Sequence, residues 1–590
     1  MKNLIKLGVF VLIVLGMWFY TKRVHTPQNQ NEKVLVTVGA AQIKGFDPAQ
    51  TDDVYSACEV AKIYEGLLGY HYLKRPYELV PNLAAALPTV SEDGCVYTFS
   101  IKEGIKFHDN TCFPAGQGRE LVAEDFVYTI KRVADPKVQS PWFSMLAEKI
   151  QGLDAWRNKY AVVAQTDYTE AVAGLKAVDR YTLQFTLIRP WPQFPYILAM
   201  GFCYAVPHEA VQHYGAEFLN HPVGTGPFTL QAFNPQLNKL IYYKNPTFRD
   251  KRFPSEAAEA YQHLLADAGK KLPLVDKIIT HILPEEQPRW LKFQQGTIDV
   301  ADIASDSIAV EVVQGDRIAP RLQEKGIQLF LEPEQSTGLF VINNGHVLFK
   351  NNAKLRQALS LAFDEQRYNE LFHKGTAVLA QSIIPPGLEG YQKDYTNPYK
   401  IHDLAKARKL LTAAGYPGGK GLPVITLDVH ATTQHRQQGE FFKKCMERIG
   451  VKIKVVPNTF PELLKRIDQK MTMLHALSWS ADYPDAEGFL CLLYHSDQSM
   501  GIGAYFNDPA YNALYEKAIV MQPSSERTKL YEQLNSMAAE HVPAIYSVHR
   551  PHPVLYHGWI KNYLWADCLY GTEQYINIDL EQKKALQAKF

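Results

Sequence analysis

The sequence predicts an α/β protein, and three stretches of its C-terminal half carry that expectation. Asp403 stands in an N-cap position before a helix whose apolar face is Leu404, Ala407, Leu410, Leu411 and Ala414, and Gly415 follows at C′. Ile425, Leu427 and Val429 then alternate as in a strand. Phe441–Ile449 returns to helical spacing, and Val451, Ile453 and Val455 alternate with Lys452 and Lys454. With an earlier helix over Asn351–Phe363, striped by Leu355, Leu359 and Ala362, this order indicates an α/β lobe with a partly parallel sheet.

The N-terminal half is richer in strands. Val34, Val36 and Val38 share one strand face. Tyr97, Phe99 and Ile101 alternate with polar residues, Glu103-Gly104 turns the chain and Ile105–Phe107 returns, which predicts a hairpin. Phe126–Val133 has helical spacing, and Arg180–Leu187 is another alternating strand. A polar insertion, about Arg249–Lys271, precedes a strand over Val275–Ile282. Gly224, Gly226 and Pro227 suit a sharp turn into a strand, and Asp47-Pro48 suits a turn whose Asp bonds back to the chain. There is no internal repeat.

The chain has 590 residues, room for roughly four domain-sized units. A net charge of +1 leaves no global field to draw in nucleic acid or anionic lipid, so neither is predicted as the main partner. The 33 Tyr and 8 Trp fit either a large core or a binding surface. At the N-terminus, Lys2 and Lys6 precede the apolar run Leu7–Tyr20, and Thr21-Lys22-Arg23 follows, as in an export signal. No small-x-small site and no lipid-bearing Cys follow Tyr20. Leu4–Tyr20 spans roughly 25 Å as a helix, so an uncleaved signal anchor over residues 1–24 is expected, with a tether over 25–33. The alternative is a cleaved signal and a soluble periplasmic protein. Seven Cys lack C-x-x-C or zinc spacing, and Cys95 with Cys112, flanking the predicted hairpin, is the first candidate disulfide.

Catalytic signatures are missing. The chain has no P-loop, H-E-x-x-H, G-x-S-x-G or EF-hand pattern, and Gly415–Gly421 follows a helix where a P-loop precedes one. His549, His552 and His557 lie close together but not at helical spacing; core or exposed histidines are favoured over a metal site.

Several motifs in order carry a resemblance. They are Phe46-Asp47-Pro48, Ile63–Leu68 (IYEGLL), Leu79–Ala84 (LVPNLA), Lys106–Asp109 (KFHD), Ala123–Tyr128 (AEDFVY), Gly224–Phe228 (GTGPF), Lys244-Asn245-Pro246, Leu355–Leu359 (LRQAL) and Trp479–Asp485 (WSADYPD). Together they resemble the family 5 extracellular solute-binding proteins, most of all the oligopeptide- and dipeptide-binding members, over nearly everything from residue 34 onward. The resemblance implies a two-lobed periplasmic-binding-protein clamp (type II, cluster C) with an extra subdomain in the first lobe. Lobe I takes residues 34–80, 222–335 and 541–590, the extra subdomain 81–221, and lobe II 336–540, with two crossings forming a hinge.

The implied function is to capture peptides outside the cytoplasm and deliver them to the membrane subunits of an ABC importer. A monomer with no cofactor and no enzymatic activity is expected, held to the inner membrane by the N-terminal helix read above. The peptide lies extended between the lobes as an added strand. Asp482 matches the acidic residue that pairs with the peptide's α-ammonium, and Trp479 the aromatic of the same motif. Asp52, Val54 and Trp142 match first-lobe positions near ligand. Phe460 matches a pocket aromatic, His435 a residue near the peptide's carboxyl end, and Tyr546 lies near the return crossing. An opposing reading makes Asp482 a turn or N-cap residue, since it precedes Pro484. The sequence departs from the family where Val341 replaces an acidic residue, Ala486 follows Asp485 and Arg466 is one place off a basic position; the Arg249–Lys271 insertion and the missing lipid anchor are further differences. Alternatives are a membrane-anchored sensor or assembly partner of the same fold, a binder of nickel or another solute, and a hydrolase, which lacks every testable motif.

Overall fold

The computed structural model describes residues 31–234, 238–302, 312–314, 317–495 and 502–588. The expected anchor and most of the tether lie outside them. Among the described residues no helix is long and apolar enough to cross a membrane.

In the first half, Val34–Gly39 runs parallel to Lys277–Ile282, which pairs antiparallel with Lys239–Lys244, and that strand with Phe228–Asn234. Leu35, on the face opposite the three valines, is the fully buried side chain of the first strand. A second sheet orders Thr89–Val90, Val96–Ser100, Thr182–Thr186 and Leu175–Ala177. Helix Ala123–Ala134 buries Phe126, Ile130 and Val133 in one core with Tyr97, Phe99, Leu183, Phe185 and Leu35. The two sheets thus share a single apolar interior.

The predicted hairpin does not form. Val96–Ser100 takes Thr89–Val90 and Thr182–Thr186 as partners. Ile105 and Phe107 turn instead to Arg119–Leu121, through Leu121 N–H to Ile105 O at 2.7 Å and Phe107 N–H to Arg119 O at 3.0 Å. Alternation marks a strand but names no partner, and a remote alternating segment wins here. Without the hairpin, Cys95 and Cys112 are not joined, and all seven cysteines are free thiols. The Arg249–Lys271 insertion buries Phe253 and Tyr261 against Tyr72, Leu73, Leu564 and Tyr575. A Cβ on Gly224 would lie 2.1 Å from Ile63 O, so glycine there permits close backbone approach rather than an unusual turn. Asp47 does bond back, accepting from Ala49 N–H at 3.1 Å, and both its oxygens accept from Arg132 at 2.6 Å.

The second half is built on a five-stranded sheet ordered Ile453–Asn458, Ile425–His430, Leu474–Ser480, Ser336–Ile342 and Ala544–Tyr546. The first three are parallel; the last two run antiparallel to their neighbours. Along Ser336–Ile342 the side chains alternate between two cores. Phe340 and Ile342 join Leu359, Leu411, Phe442 and Met446, while Leu339 and Val341 join Phe489, Tyr511, Tyr531 and Leu534. Asp403 caps its helix, accepting from Lys406 N–H at 2.9 Å, and Gly415 follows with φ +97°. The helix predicted over 441–449 starts earlier, at Thr433, because Thr432 accepts from His435 N–H at 3.2 Å.

Ile327–Pro333 pairs antiparallel with Pro551–His557 in a small sheet with Val300–Asp302. The chain passes between this sheet and the five-stranded one at residues 333–336 and again at 549–551. The second crossing was expected near 540, but Ala544–Tyr546 is still paired with Leu339–Val341. Two α/β lobes joined by two crossings are a hinged clamp.

Candidate functional site

In a parallel sheet the loops leaving the carboxyl ends of the strands converge on one edge, where ligands bind. Three such loops meet here. His430, Thr432 and His435 follow the first strand, Phe460 the second and Asp482 the third. Ser336 pairs with Ser480, and Ala481 N–H donates to Gln335 O at 2.9 Å, so the first crossing lies at the same edge. Phe460 is 45% exposed, its ring 5.7 Å from His430, which is 5.4 Å from His435. His435 Nδ1 is 2.6 Å from Thr432 Oγ1. Burial lowers the pKa of His435, with the charges of His430 and Arg550 acting in the same direction.

Asp482 is open to solvent, yet the protein crowded around it pushes its carboxyl pKa up. Among the described residues it has no hydrogen-bond or ion-pair partner, and its charge reaches the thiols of Cys491 and of Cys568 in the first lobe's C-terminal segment. Trp479, opposite Thr337 in the sheet, is half-buried, and its indole N–H is enclosed with no acceptor among the described residues. The turn role falls to Asp485, whose Oδ1 accepts from Glu487 N–H at 2.9 Å.

The first-lobe candidates form a separate group. Asp52 is ion-paired with Lys44. Val54 opens helix Val54–Val60 and is 53% exposed. Trp142 Nε1 donates to Thr51 O at 2.6 Å and stacks on Phe202 at 5.1 Å. Among the described residues no hydrogen bond, ion pair or ring contact joins this group to Asp482 or Phe460. Tyr546 is not at the edge: it is 2% exposed, paired with Leu339 in the second lobe's core, because the last strand continues the sheet past the expected crossing. Val341 is fully buried in the same core, and Arg466 is engaged by the buried Asp428 at 2.8 Å.

One group escaped the sequence reading. At the crossings Glu334 faces Arg550 and His552, each at 3.1 Å, and His552 also lies 3.5 Å from Asp302 and stacks on Trp565 at 3.8 Å. Burial opposes charge on His552, but Asp302 and Glu334 outweigh it and raise its pKa to about 9. Its neighbours in sequence go elsewhere: His549 to Thr337 and Ser336, His557 to Phe293 O. Among the described residues no group of three or more His, Cys, Asp or Glu is arranged to hold a metal.

Two α/β lobes joined by two crossings are the architecture of a two-lobed solute-binding protein. The model for the middle region of bacterial extracellular solute-binding proteins, family 5, matches residues 78–501, and the chain belongs to this family. It is 27% identical over 532 residues to the dipeptide-binding protein of Escherichia coli strain K12, covering 88% of this chain and 89% of that one. It is 26% identical over 560 residues to heme-binding protein A of Haemophilus influenzae, covering 90% of each. Its fold matches the periplasmic binding protein DppA of Helicobacter pylori in complex with the peptide STSA, with TM-score 0.67 at 22% identity over 92% of this chain and 98% of that one.

Proposed function

We propose that this protein captures peptides outside the cytoplasm and hands them to the membrane subunits of an ABC importer. The observation that carries the reading is Asp482, a carboxylate without a partner among the described residues, just past the end of the strand that carries Trp479. An ammonium entering a closing cleft loses its water and needs such a counter-charge. The dipeptide-binding relative and the peptide-bound structural neighbour favour the same ligand class. Phe460 and His435 on the second lobe, and Asp52, Val54 and Trp142 on the first, complete the proposed site. The extra subdomain is 81–221, lobe I takes 34–80, 222–335 and the chain after the second crossing, and lobe II the segment between the crossings. The protein acts as a monomer without catalysis, held to the membrane by residues 1–24.

Mass spectrometry of ligand released from purified protein tests the reading. Peptides with free amino termini are expected, and a peptide at 100 times its Kd should stabilise the fold by about 2.7 kcal/mol. Release of a non-peptide solute, with no thermal shift across a di- to pentapeptide library, would overturn it. Loss of tripeptide uptake on deletion separates importer supply from a sensor role. Intact mass of the membrane-extracted protein should include the residues before Thr21.

A further inference from the structure

We infer that Arg527, buried away from the cleft, is the positioning residue that fixes the Asp482 carboxylate where a ligand ammonium can reach it. The inference rests on the ammonium reading of Asp482. Asp482 makes no bond of its own among the described residues, so its place is set by what holds its neighbours. On one side, Ala481 N–H is tied to Gln335 O at 2.9 Å. On the other, Asp485 is almost fully buried, with Oδ2 3.1 Å from Arg527 Nη1 and Oδ1 accepting from Tyr531 O–H at 3.1 Å. The short span between contains Pro484, which limits its freedom. Arg527 is itself 1% exposed, held at its far side by Glu389 and lying 5.1 Å from the Tyr531 ring. Tyr483 is held in turn, donating to Glu487 and stacking on Tyr196 of the extra subdomain at 6.1 Å.

The chemistry points to positioning rather than stability. A buried ion pair generally adds little stability compared with well-packed apolar groups, because both charges lose their hydration. Here Nε and Nη1 of Arg527 and Oδ2 of Asp485 have no hydrogen-bond partner among the described residues, so the pairing is not optimised for strength. What the ion pair does supply is a fixed counter-charge: the guanidinium, held by Glu389 on its far side, attracts the Asp485 carboxylate at 3.1 Å and opposes its moving away, which an apolar contact would not do.

The test is the double variant Asp485→Leu/Arg527→Met, which removes both charges together, with Arg527→Lys as the conservative comparison. Two readouts are taken on each. One is the titration of the Asp482 carboxyl by NMR of the ¹³C-aspartate-labelled protein without ligand, assigned with Asp482→Asn. The other is calorimetric affinity for trialanine and N-acetyl-trialanine. In the double variant the fold should persist by circular dichroism, while Asp482 should titrate near an ordinary aspartate and the preference for the free amine should fall at least tenfold. Arg527→Lys should recover part of both. An Asp482 titration unchanged in the folded double variant would overturn the inference. If wild type binds neither tripeptide but the titration moves, the positioning role stands and the peptide reading falls. Should the double variant fail to fold, an unchanged Asp482 titration in folded Arg527→Lys would overturn it.

Discussion

The two lobes each bring one aspartate to the proposed cleft, and the two differ in what already surrounds them. Asp52 has Lys44 against it, and both side chains are well exposed, 37% and 60%. Among the described residues Asp482 has no cation, and the surrounding protein has taken away part of its water. A carboxylate that is paired and hydrated gains little from a second cation; one that is unpaired and partly dehydrated gains much. Exposure alone does not reveal this difference, since both residues are open to solvent. On the proposed reading, the second lobe would carry the charge recognition and the first lobe would offer a surface to close against.

The largest expected effect follows directly. Asp482→Asn should weaken binding of a free-amine peptide by about 2–5 kcal/mol, since an ammonium enclosed without its counter-charge is costly. N-acetylating the peptide should cost wild type a similar amount and the variant much less, and calorimetry on the four combinations gives the coupling. Additive losses would place Asp482 outside the site. The pH dependence has a definite sign. The raised carboxyl pKa means that apo Asp482 becomes neutral at a higher pH than an ordinary aspartate. Affinity should therefore fall on acidification, beginning at a higher pH than an ordinary aspartate would give, and Asp482→Asn should flatten that limb.

The hinge gives the next effect. His552 carries a pKa raised from 6.5 to about 9, so its charged contacts with Glu334 and Asp302 stabilise the fold fully below pH 6.5. That stability is lost as pH rises through about 9. Thermal melts between pH 6 and 10 should show a decline on the order of 2 kcal/mol, and His552→Gln should remove most of it. A decline of the same size in the variant would assign the effect to other groups.

Much of the fold was legible because it depends on local pattern. The Leu404–Ala413 helix, the Ile425–His430 strand and their cap at Asp403 are written in spacing of 3.6 and 2. The proposal of Asp482 as a site residue comes from its motif alone. What spacing cannot carry is the partner. Ile105–Phe107 reads as a returning strand but pairs with Arg119–Leu121, and Tyr546 lies beside a crossing in sequence but faces inward because Leu339 pairs with it. The hinge cluster was hidden for the same reason: Glu334 meets Arg550 and His552 across 216 and 218 residues. Nor does a sequence show that Arg466 is engaged by a buried Asp428.

On the first lobe the expected effects are smaller. Trp142→Phe removes the indole donor that holds Thr51 O at 2.6 Å while keeping a ring against Phe202, so it should lower stability by about 1 kcal/mol in denaturant melts. A loss several times larger would mean that the ring, not the hydrogen bond, sets the loop.

Asp52→Asn is the last and smallest, and the one that most directly tests the comparison. Asp52 differs from Asp482 in having Lys44 already bound to it in water-filled surroundings, so the neutral amide forfeits only a screened surface attraction. Its effect on peptide affinity should lie within the error of calorimetry at 0.15 M salt and show no coupling to N-acetylation. The paired variant Lys44→Met sharpens the test, because it turns Asp52 into an unpaired carboxylate without burying it. If lack of a partner alone made Asp482 a recognition group, Lys44→Met should confer amine-dependent binding on Asp52 and strengthen affinity for a free-amine peptide. If partial dehydration is also required, the variant should bind as wild type does. The second outcome is expected, since the protein crowded around Asp482 disfavours its charge, and a Lys44 substitution adds no such crowding at Asp52. Amine-coupled binding at Asp52 in either background would place the charge recognition on both lobes.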